Sequence, residues 1–374
     1  MKKIKILHIT TDSRIGGTEK MLISLAEHFD RSKFEMNFVA LIGNGQLIEE
    51  LEKRNCKVYS LKMKNKFDII GILKLYKIIK NEKPDIVNTY LFHADQAGRI
   101  LSKIAGVKTI ISSYRSPDYW KKIYHIFIDF LTAKLVDVFT SNSELVKTVV
   151  SEREKIDKKK IIVIPNGIKL EFEKFDLSIK KTISLKIKNE HKIPENCRVI
   201  GIVANLTPVK NYKLFIDICS GLNQIFNDLY FVSIGSGPEL KNIRNYASEK
   251  KVENIKFLGH QNNVRYLLKM FDIFILTSLW ESSSRAVLEA MAEGLPVVIP
   301  DVGGMSELVK DFESGFLCEH SADEFIEKTS MLLKDEQLNY KISENAFETV
   351  KTNFSIGKFI KSISDLYESK KYYV

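Results

Sequence analysis

Two glutamates eight positions apart form the sharpest chemical pattern in the sequence. Glu281 stands directly before Ser282, Ser283 and Ser284, residue types that favour the start of a helix. Glu289 would lie about two turns into that helix. A helix start attracts a diphosphate through its free backbone N–H groups, and a carboxylate accepts hydrogen bonds from a pair of sugar hydroxyls. The pattern therefore suits a nucleotide sugar, but two solvated helix glutamates would give the same spacing.

Two glycine turns that follow predicted strands would let backbone N–H groups approach an anion. Gly16 and Gly17 precede a predicted helix. Gly235 and Gly237 follow the predicted strand Leu229–Ile234. Neither turn completes a Walker loop or the G-x-G-x-x-G dinucleotide fingerprint, so the sequence gives little support to a nicotinamide cofactor. A tight turn without a ligand is the alternative interpretation of both.

The helices and strands that must position these residues alternate along the chain. Strand-like apolar runs alternate with segments of helical spacing, first up to Ile161–Ile164 and again from Val199–Ala204. Repeated alternation predicts parallel sheets with helices on both faces, in which ligands bind at the carboxyl ends of the strands. The polar, lysine-rich stretch Lys169–Pro194 separates the two series. We also expect one long helix over Tyr119–Val136.

The predicted fold class is α/β, with two Rossmann-like, doubly wound domains and a cleft between them. The N-terminal domain is predicted over residues 1–170, a linker over 171–195 and the C-terminal domain over 196–354. A last amphipathic helix, at about residues 355–374, is expected to pack back on the N-terminal domain. Two domains agree with the usual domain size for a chain of 374 residues.

Charge is distributed unevenly over a chain of otherwise ordinary composition. Hydrophobic residues make up 44% and charged residues 28%, as in soluble globular proteins, and no apolar run is long enough to span a membrane. The net charge is +10, and residues 1–165 alone carry 30 Lys and Arg against 19 Asp and Glu. This excess indicates an anionic surface or ligand near the first half, unless it only reflects a lysine-rich background. The four widely spaced cysteines predict reduced thiols in a cytoplasmic protein.

Basic and aromatic residues occur together in two segments of this first half. Tyr119–Phe127 and Lys62–Phe67 each mix lysines with aromatic or aliphatic side chains, as peripheral proteins do at an anionic bilayer surface. Alternatively, Trp120, Ile123 and Phe127 would pack into the core, because their spacing is that of one helix face. No aromatic and basic recognition motif for nucleic acid is present, so we expect no nucleic-acid partner.

The glutamate pattern and the motifs around it resemble the GT4 family of retaining glycosyltransferases, which have the GT-B fold. Glu281-x7-Glu289 is followed by Ala-Met-Ala-x-Gly-x-Pro-Val, as in that family's signature. Further segments appear in the family's order, so the resemblance spans about residues 4–350. These segments are Ile15–Glu19, Lys83–Val87, Ile164–Ile168, Ala204–Asn211, Gly235–Gly237, Phe257–Gly259 and Pro300–Gly304.

The resemblance implies a role for each matching residue at the donor site. Glu289 would bind the ribose hydroxyls, Glu281 would hold the hydroxyls of the transferred sugar, and Lys210 would neutralise the diphosphate. The backbone at Ser283 and Ser284 would assist Lys210. The other donor-side candidates are two pairs of glycines and the residue at the family's arginine position, namely Gly16, Gly17, Gly235, Gly237 and Asn205.

Departures from the family pattern at the donor site modify these expectations. Asn205 replaces the usual arginine, so Lys210 and the helix start would carry more of the leaving-group stabilisation. Arg285 is a further candidate for that role. Ser282-Ser283 replaces the usual Gly-Phe after the first glutamate.

A further departure concerns a histidine that many members have at the end of one N-terminal strand. This chain has Tyr114-Arg115 there, and its nearest histidine in a comparable loop is His93. We therefore count His93 and Arg115, with Glu281 and Lys210, among the catalytic candidates. A lone histidine at a strand-to-helix turn is otherwise more often structural.

The resemblance implies transfer of a sugar from a nucleotide-diphosphate donor, expected to be UDP-linked, with retention at the anomeric carbon. No DxD motif follows a strand, so we expect neither a metal nor another cofactor. The implied acceptor is a glycan or a polyprenyl-diphosphate-linked glycan in cell-surface polysaccharide biosynthesis. The expected location is the cytoplasm, on the inner face of the plasma membrane. Two alternatives stay open, a nucleotide-sugar epimerase of the same fold and a catalytically silent partner subunit.

Overall fold

The computed structural model describes residues 2–65, 68–171 and 177–369 of the chain. Lys66 and Phe67, which belong to one of the two basic segments, lie outside the described residues. Among the described residues, no helix combines the length and the apolar character needed to cross a bilayer.

The chain divides into two compact units. Unit 1 comprises Met1–Gly167 and Ile356–Val374, and unit 2 comprises Ile168–Ser355. Each unit is built on a parallel sheet whose strands alternate with helices along the chain. This confirms the predicted pair of Rossmann-like α/β domains.

Unit 1 contains a seven-stranded parallel sheet with the order β3-β2-β1-β4-β5-β6-β7. Its strands are β1 Ile4–Thr10, β2 Phe34–Ala40, β3 Lys57–Ser60, β4 Ile86–Tyr90, β5 Thr109–Tyr114, β6 Val138–Ser141 and β7 Ile161–Val163. The helices between them are α1 Gly17–His28, α2 Gln46–Glu52, α3 Ile69–Glu82, α4 Phe92–Ala105, α5 Ile123–Ala133 and α6 Glu144–Glu154, and a 3₁₀ turn covers Lys158–Lys160.

Alternate residues of β1 show that helices cover both faces of this sheet. Ile6 belongs to the apolar cluster that contains Leu25 of α1. Its neighbour Leu7 belongs to a different cluster, with Leu75 and Ile79 of α3. Because successive side chains of a strand point to opposite faces, the two clusters lie on opposite sides of the sheet.

Unit 2 contains a six-stranded parallel sheet with the order β10-β9-β8-β11-β12-β13 around one continuous apolar core. Its strands are β8 Arg198–Val203, β9 Leu229–Ile234, β10 Ile255–Phe257, β11 Ile273–Ile275, β12 Val297–Pro300 and β13 Phe316–Cys318. Its helices are α7 Leu177–Glu190, α8 Tyr212–Asn223, α9 Leu240–Glu249, α10 Val264–Leu268, α11 Arg285–Ala292, α12 Ala322–Lys334 and α13 Glu336–Asn353, with 3₁₀ turns at Pro208–Lys210 and Met305–Glu307.

The helix α14, Ile356–Glu368, belongs to unit 1 although it follows unit 2 in the chain. Its apolar face places Phe359, Ile363 and Tyr367 in the same core cluster as residues of β1 and α1. Asn88 of β4 donates a hydrogen bond of 2.9 Å from Nδ2 to the Tyr367 hydroxyl. The buried ring and its hydrogen bond fix this helix against the sheet.

The structure differs from the expected linker over residues 171–195. Helix α7 occupies much of that range, and Ile187 and Ile193 are buried in the core of unit 2. Ile183, one turn before Ile187, packs against the same core. The helix was not predicted because only a few of its residues are apolar and face the core, and the segment as a whole is polar.

The expected long helix over Tyr119–Val136 begins later, at Ile123, because the chain before it turns inwards. The Lys121 N–H donates to the Asp118 carbonyl at 3.0 Å, and the Lys121 side chain is buried. Its Nζ lies 2.8 Å from Asp129 and 3.1 Å from Glu154. Lys121 is therefore an internal cation, and not one of the surface lysines that the sequence led us to expect.

The core-packing alternative for the aromatic segment is wrong. Trp120 is 55% exposed, Ile123 84% and Phe127 59%. The residues of α5 that are buried are instead polar: His125, Asp129 and Thr132. The helix thus turns its apolar side outwards and its polar side towards the unit.

The polar side of α5 meets a network of buried charges. Asp129 Oδ1 accepts from Arg99 Nη1 of α4 at 3.1 Å, and Asp129 Oδ2 pairs with Lys121 Nζ at 2.8 Å. The Tyr114 hydroxyl of β5 donates to Glu154 of α6 at 2.5 Å. Burial, reinforced by the charge of Glu154, raises the pKa of Asp129. One carboxylate therefore joins α4, α5 and the turn before α5.

Substitution of Asp129 by alanine should strongly destabilise unit 1. Arg99 and Lys121 would lose a shared partner inside the protein, and breaking a buried ion pair in this way costs about 3–5 kcal/mol. Urea unfolding, followed by the fluorescence of Trp120 in a Trp280→Phe background, measures the change. In the control Glu152→Ala, loss of an exposed pair with Lys158 should cost less than about 1 kcal/mol. Equal midpoints for both variants would contradict the role given to Asp129.

Candidate functional site

The predicted donor residues of unit 2 lie in loops that follow neighbouring strands. Residues 204–211 follow β8, residues 235–237 follow β9, and residues 276–284 follow β11. Since β8 pairs in parallel with both β9 and β11, these three loops emerge at the same edge of the sheet. The loop 301–304 follows β12, the next strand along that edge.

Lys210 and Glu281 form an ion pair at this edge. Lys210 Nζ lies 2.5 Å from Glu281 Oε1, and the Ser278 hydroxyl donates to the same oxygen at 2.9 Å. The Thr277 hydroxyl donates to the Lys210 carbonyl at 3.0 Å. The two charged side chains keep 22% and 13% of their surface exposed, so a ligand can reach them. The structure thus brings together two of the predicted catalytic residues.

The loop after β12 holds the backbone of Glu281. The Gly304 N–H donates to the Glu281 carbonyl at 3.0 Å. Gly303 has a φ of +60°, and a Cβ at this position would lie 1.9 Å from that same carbonyl oxygen. Only glycine meets both conditions at position 303, and a Cβ on Gly304 would lie 2.1 Å from the Ser282 carbonyl oxygen, so both glycines of the pair are explained.

The glycine turn after β9 packs closely against the loop after β8. Gly235 has a φ of +141°, and a Cβ on Gly237 would lie 2.3 Å from the Leu206 carbonyl oxygen. The Leu206 N–H donates to the Ser236 carbonyl at 3.0 Å. Asn205, in the same loop, is exposed. The predicted nucleotide-contacting turn and the predicted phosphate-binding segment are therefore neighbours.

Helix α11 begins at Arg285, one residue after the serine run. Ser284 occupies the N-cap position, and its side chain makes no capping hydrogen bond. The Ser283 hydroxyl is buried and has no hydrogen-bond partner among the described residues. A helix start with an unused hydroxyl beside it fits an anion such as a phosphate.

Glu289 lies one turn inside α11 and is only 7% exposed. Arg285 Nε donates to its Oε1 at 2.7 Å. The sequence makes Arg285 a candidate for stabilising the diphosphate. In the structure its guanidinium instead binds Glu289, the carboxylate predicted to bind the ribose. This contact fixes the orientation of Glu289.

In unit 1, the glycine loop after β1 uses one of its N–H groups internally. Gly16 occupies the N-cap of α1, and its N–H donates to Glu19 Oε2 at 3.0 Å. Gly17 is the first residue of the helix, and both glycines are exposed. Burial raises the pKa of Glu19. Because Glu19 takes up the Gly16 N–H, an anion at this helix would have to bind N–H groups after it.

His93 and Arg115 follow the neighbouring strands β4 and β5 of unit 1. His93 is the second residue of α4 and lines an apolar groove. The Arg115 guanidinium donates to the Asn166 side chain, and burial lowers the Arg115 pKa to about 10. Asn142 Nδ2 donates to the Arg115 carbonyl at 3.2 Å. Arg115 therefore stays charged at neutral pH and holds Asn166, which follows β7.

Two residues that were not predicted from the sequence, Ser278 and His320, help to orient Glu281. Ser278 hydrogen-bonds its carboxylate, and the Ser278 carbonyl lies 3.0 Å from His320 Nε2. Thr277 and Ser278 follow β11 in the loop that starts at Leu276, and that position after a strand end was an available signal. His320 carried no local signal, because it reaches Ser278 only through the fold. Over the part of the chain that the structure describes, no group of three or more His, Cys, Asp or Glu could hold a metal ion.

Each of the two units matches a model of a known protein family. The family model described as Glycosyltransferase Family 4 matches residues 15–172, and the model described as Glycosyl transferases group 1 matches residues 184–349. A relative from Escherichia coli, "UDP-Gal:alpha-D-GlcNAc-diphosphoundecaprenol alpha-1,3-galactosyltransferase", is 29% identical over 98% of this chain and 97% of its own length. The N-acetyl-alpha-D-glucosaminyl L-malate synthase of Bacillus anthracis is 32% identical over 49% of this chain and 48% of its own.

Solved structures match the fold over nearly the whole chain. Anabaena HepE in complex with UDP has a TM-score of 0.86 at 21% identity and covers 97% of this chain and 99% of its own. A glycosyltransferase from Rickettsia africae has a TM-score of 0.82 at 22% identity and covers 100% and 99%. These likenesses show the fold, and the family models and relatives favour neither an epimerase nor a silent subunit. The chain belongs to the GT4 group of glycosyltransferases and has the GT-B fold.

Proposed function

We propose that this glycosyltransferase moves a hexosyl residue from a UDP-linked donor to a polyprenyl-diphosphate-linked glycan, with retention and without a metal ion. The observation that carries the proposal is the accessible Lys210–Glu281 pair beside the start of α11 and the fixed carboxylate of Glu289. The name of the Escherichia coli relative supports both the donor and the acceptor class. The UDP bound to Anabaena HepE supports the nucleotide.

The donor would occupy the carboxyl edge of the unit 2 sheet. Glu289, oriented by Arg285, accepts hydrogen bonds from the ribose hydroxyls through its other carboxylate oxygen. The diphosphate binds the first N–H groups of α11 and the Ser283 hydroxyl. Lys210 then shares its charge between Glu281 and the diphosphate. Glu281, partly released, accepts hydrogen bonds from hydroxyls of the sugar to be transferred.

In the reaction, the bond between the anomeric carbon and the diphosphate oxygen breaks, and negative charge grows on the leaving diphosphate. Lys210 and the start of α11 lie ready to stabilise that charge, and such fixed electrostatic groups supply the largest catalytic contribution in many enzymes. The leaving phosphate oxygen accepts the proton of the acceptor hydroxyl, which attacks from the same side of the sugar. The configuration at the anomeric carbon is therefore retained, and no protein base is needed. Because the uncharged Asn205 stands where the family usually has an arginine, Lys210 is the main cation beside the diphosphate.

We propose further that unit 1 contacts an anionic membrane surface, on the inner face of the plasma membrane, where a lipid-linked acceptor would lie. The support is the outward apolar side of α5, where Ile123 and Phe127 are largely exposed, together with the exposed Trp120 in the turn before it. Lys122, just before α5, is exposed as well. Aromatic and aliphatic groups beside lysines are typical of peripheral membrane binding.

The reaction itself is tested by product analysis with a panel of nucleotide sugars and a polyprenyl-diphosphate-linked N-acetylhexosamine. We expect transfer from one UDP-sugar, an unchanged anomeric configuration in the product by NMR, and full activity after treatment with EDTA. Inversion at the anomeric carbon, or loss of activity that Mg²⁺ or Mn²⁺ restores, would refute the proposed mechanism.

Glu289→Gln should weaken donor binding while leaving the fold intact. A hydrogen bond to a charged group is worth about 1.5–3 kcal/mol, so we expect the donor KM to rise by about one to two orders of magnitude. The control Glu293→Gln changes a buried glutamate at the end of the same helix that pairs with Arg265. It should lower stability and leave the donor KM unchanged. A normal KM in Glu289→Gln would remove Glu289 from the donor site.

Lys210→Ala should slow the chemical step more than it weakens substrate binding, because the charge that it offsets develops as the diphosphate departs. We expect kcat to fall by about two orders of magnitude, as for loss of one oxyanion-stabilising donor in other enzymes. Lys328→Ala, which removes a similarly shielded lysine paired with Glu324 in α12, serves as the control and should retain kcat. If only KM increased and kcat did not change, Lys210 would contribute to donor binding and not to stabilisation of the transition state.

Membrane contact is tested by sedimentation with vesicles. The protein should pellet with vesicles that contain anionic lipid, should stay in solution with purely zwitterionic vesicles, and should be released as salt is raised. A double variant Trp120→Ser and Phe127→Ser should bind less, since it removes two exposed aromatic side chains. Binding that ignores lipid charge, or none at all, would favour a water-soluble acceptor.

A further inference from the structure

An apolar groove with a volume of about 520 Å³ runs between α3, α4 and α5 of unit 1. Its walls include Met63 after β3, Ile72 of α3, Ala97 and Ile100 of α4, and Ile128 of α5. The volume lies in the range of small-molecule binding sites, and nearly the whole surface is hydrocarbon or aromatic. The groove therefore fits an apolar ligand, or the apolar part of a larger one.

One end of the groove lies at the carboxyl edge of the unit 1 sheet. Leu41 and Ile42, which follow β2, and Phe92 and His93, which follow β4, all contribute to its lining. Ligands of parallel sheets bind at this edge, and His93 is a candidate for contact with the acceptor. The groove thus leads away from the edge at which an acceptor head group is expected.

The groove is held open by the buried network beneath it. Gln96, which lines the groove, donates from Nε2 to Asp129 at 2.5 Å, and Arg99 on the next turn of α4 binds the same carboxylate. Gln96 Oε1 accepts from the Thr132 hydroxyl of α5 at 3.0 Å. These bonds fix α4 and α5 at a set separation, so a ligand need not force the helices apart.

The surroundings of the groove combine exposed apolar residues with lysines. Ile69 and Ile70 of α3 are 71% and 67% exposed, and Ile104 of α4 is 64% exposed. Lys62 and Lys64 are exposed and alternate in the chain with Met63 and Asn65, which line the groove. A ligand with a hydrocarbon chain and an anionic head would satisfy both features.

We propose that this groove binds the isoprenoid chain of the acceptor, in the part nearest the diphosphate. The proposal rests on the proposed function for the identity of the acceptor. It assigns the apolar groove to the chain, the lysines beside it to the diphosphate, and the end near His93 to the glycan. A second copy of this chain and an ordinary acyl chain are the competing occupants.

Direct binding of farnesyl diphosphate, a short isoprenoid diphosphate, tests the site without any glycosyl transfer. Trp120 reports on it, because its ring centroid lies 5.7 Å from that of Phe92 and 5.1 Å from that of His125, both of which line the groove. Trp280→Phe removes the other tryptophan of the chain. Below its micelle-forming concentration, farnesyl diphosphate should produce a saturable blue shift of Trp120, and inorganic diphosphate should produce none.

Substitutions in the groove provide the decisive comparison. Ile100→Gln with Ile128→Gln should raise the apparent Kd for farnesyl diphosphate by about tenfold or more, because both side chains line the groove. The matched control, Leu185→Gln with Ile225→Gln, changes two exposed aliphatic residues of unit 2 and should leave the Kd unchanged. Circular dichroism and melting temperature show whether the double variant is folded. A misfolded variant would be replaced by Ile100→Val with Ile128→Val, for which a smaller rise in Kd is expected.

Several outcomes would overturn the assignment. These are the absence of a saturable shift, a shift that survives the groove substitutions, and equal affinity for dodecyl phosphate, which would indicate a general acyl site. Dissociation of a dimer by the groove substitutions, without any isoprenoid binding, would assign the groove to a second copy. The proposed function fails separately, if farnesyl diphosphate binds as expected while no sugar is transferred to a lipid-linked glycan.

Discussion

Parallel strand pairing is the constraint on which both units depend. A parallel sheet releases every loop that follows a strand at the same edge, and the strands themselves fix the distances between those loops. In unit 2 this brings Lys210 and Glu281, which are far apart in sequence, to within 2.5 Å. In unit 1 the same geometry puts His93 and Arg115 after neighbouring strands. The sequence of each loop can therefore change without moving the carboxyl edge of the sheet from which it emerges.

Burial decides which of the charged clusters serve structure and which are open to a ligand. Asp129, Lys121 and Arg99 are almost completely buried, and they pair with one another and with the buried carboxylates of Glu154 and Asp95. Such a network fixes the positions of helices, because removal of a member disturbs the balance of charge in the interior. The Lys210–Glu281 pair keeps part of its surface exposed. Its charges therefore remain accessible to a ligand, as the proposed donor site requires.

The inverted polarity of α5 links the stability of unit 1 to its proposed acceptor role. A surface helix normally turns its apolar stripe to the core, but here Asp129 and Thr132 face inwards and Ile123 and Phe127 face outwards. The buried hydrogen bonds and ion pairs replace the apolar contacts that would otherwise hold the helix. The apolar side is thereby left available, next to the groove that α5 forms with α4.

The sequence by itself determined the α/β class, the two parallel-sheet domains and the local motifs of the proposed donor site. Alternating periodicity reflects strands and helices that repeat at short range, and Glu281 and Glu289 belong to one helix and its approach, so their spacing reports their geometry. Gly303 was found only as part of a segment that resembles the family, and its positive φ and its close approach to the Glu281 carbonyl became visible only in the structure. Only the tertiary structure decided that Lys121 is internal, that α7 belongs to the core of unit 2, and that Ser278 and His320 support Glu281. These facts depend on contacts between residues that are distant in the chain. No pattern within a short stretch of sequence reveals such contacts. The apolar groove could not be predicted from the sequence for the same reason, since its walls come from segments that meet only after folding.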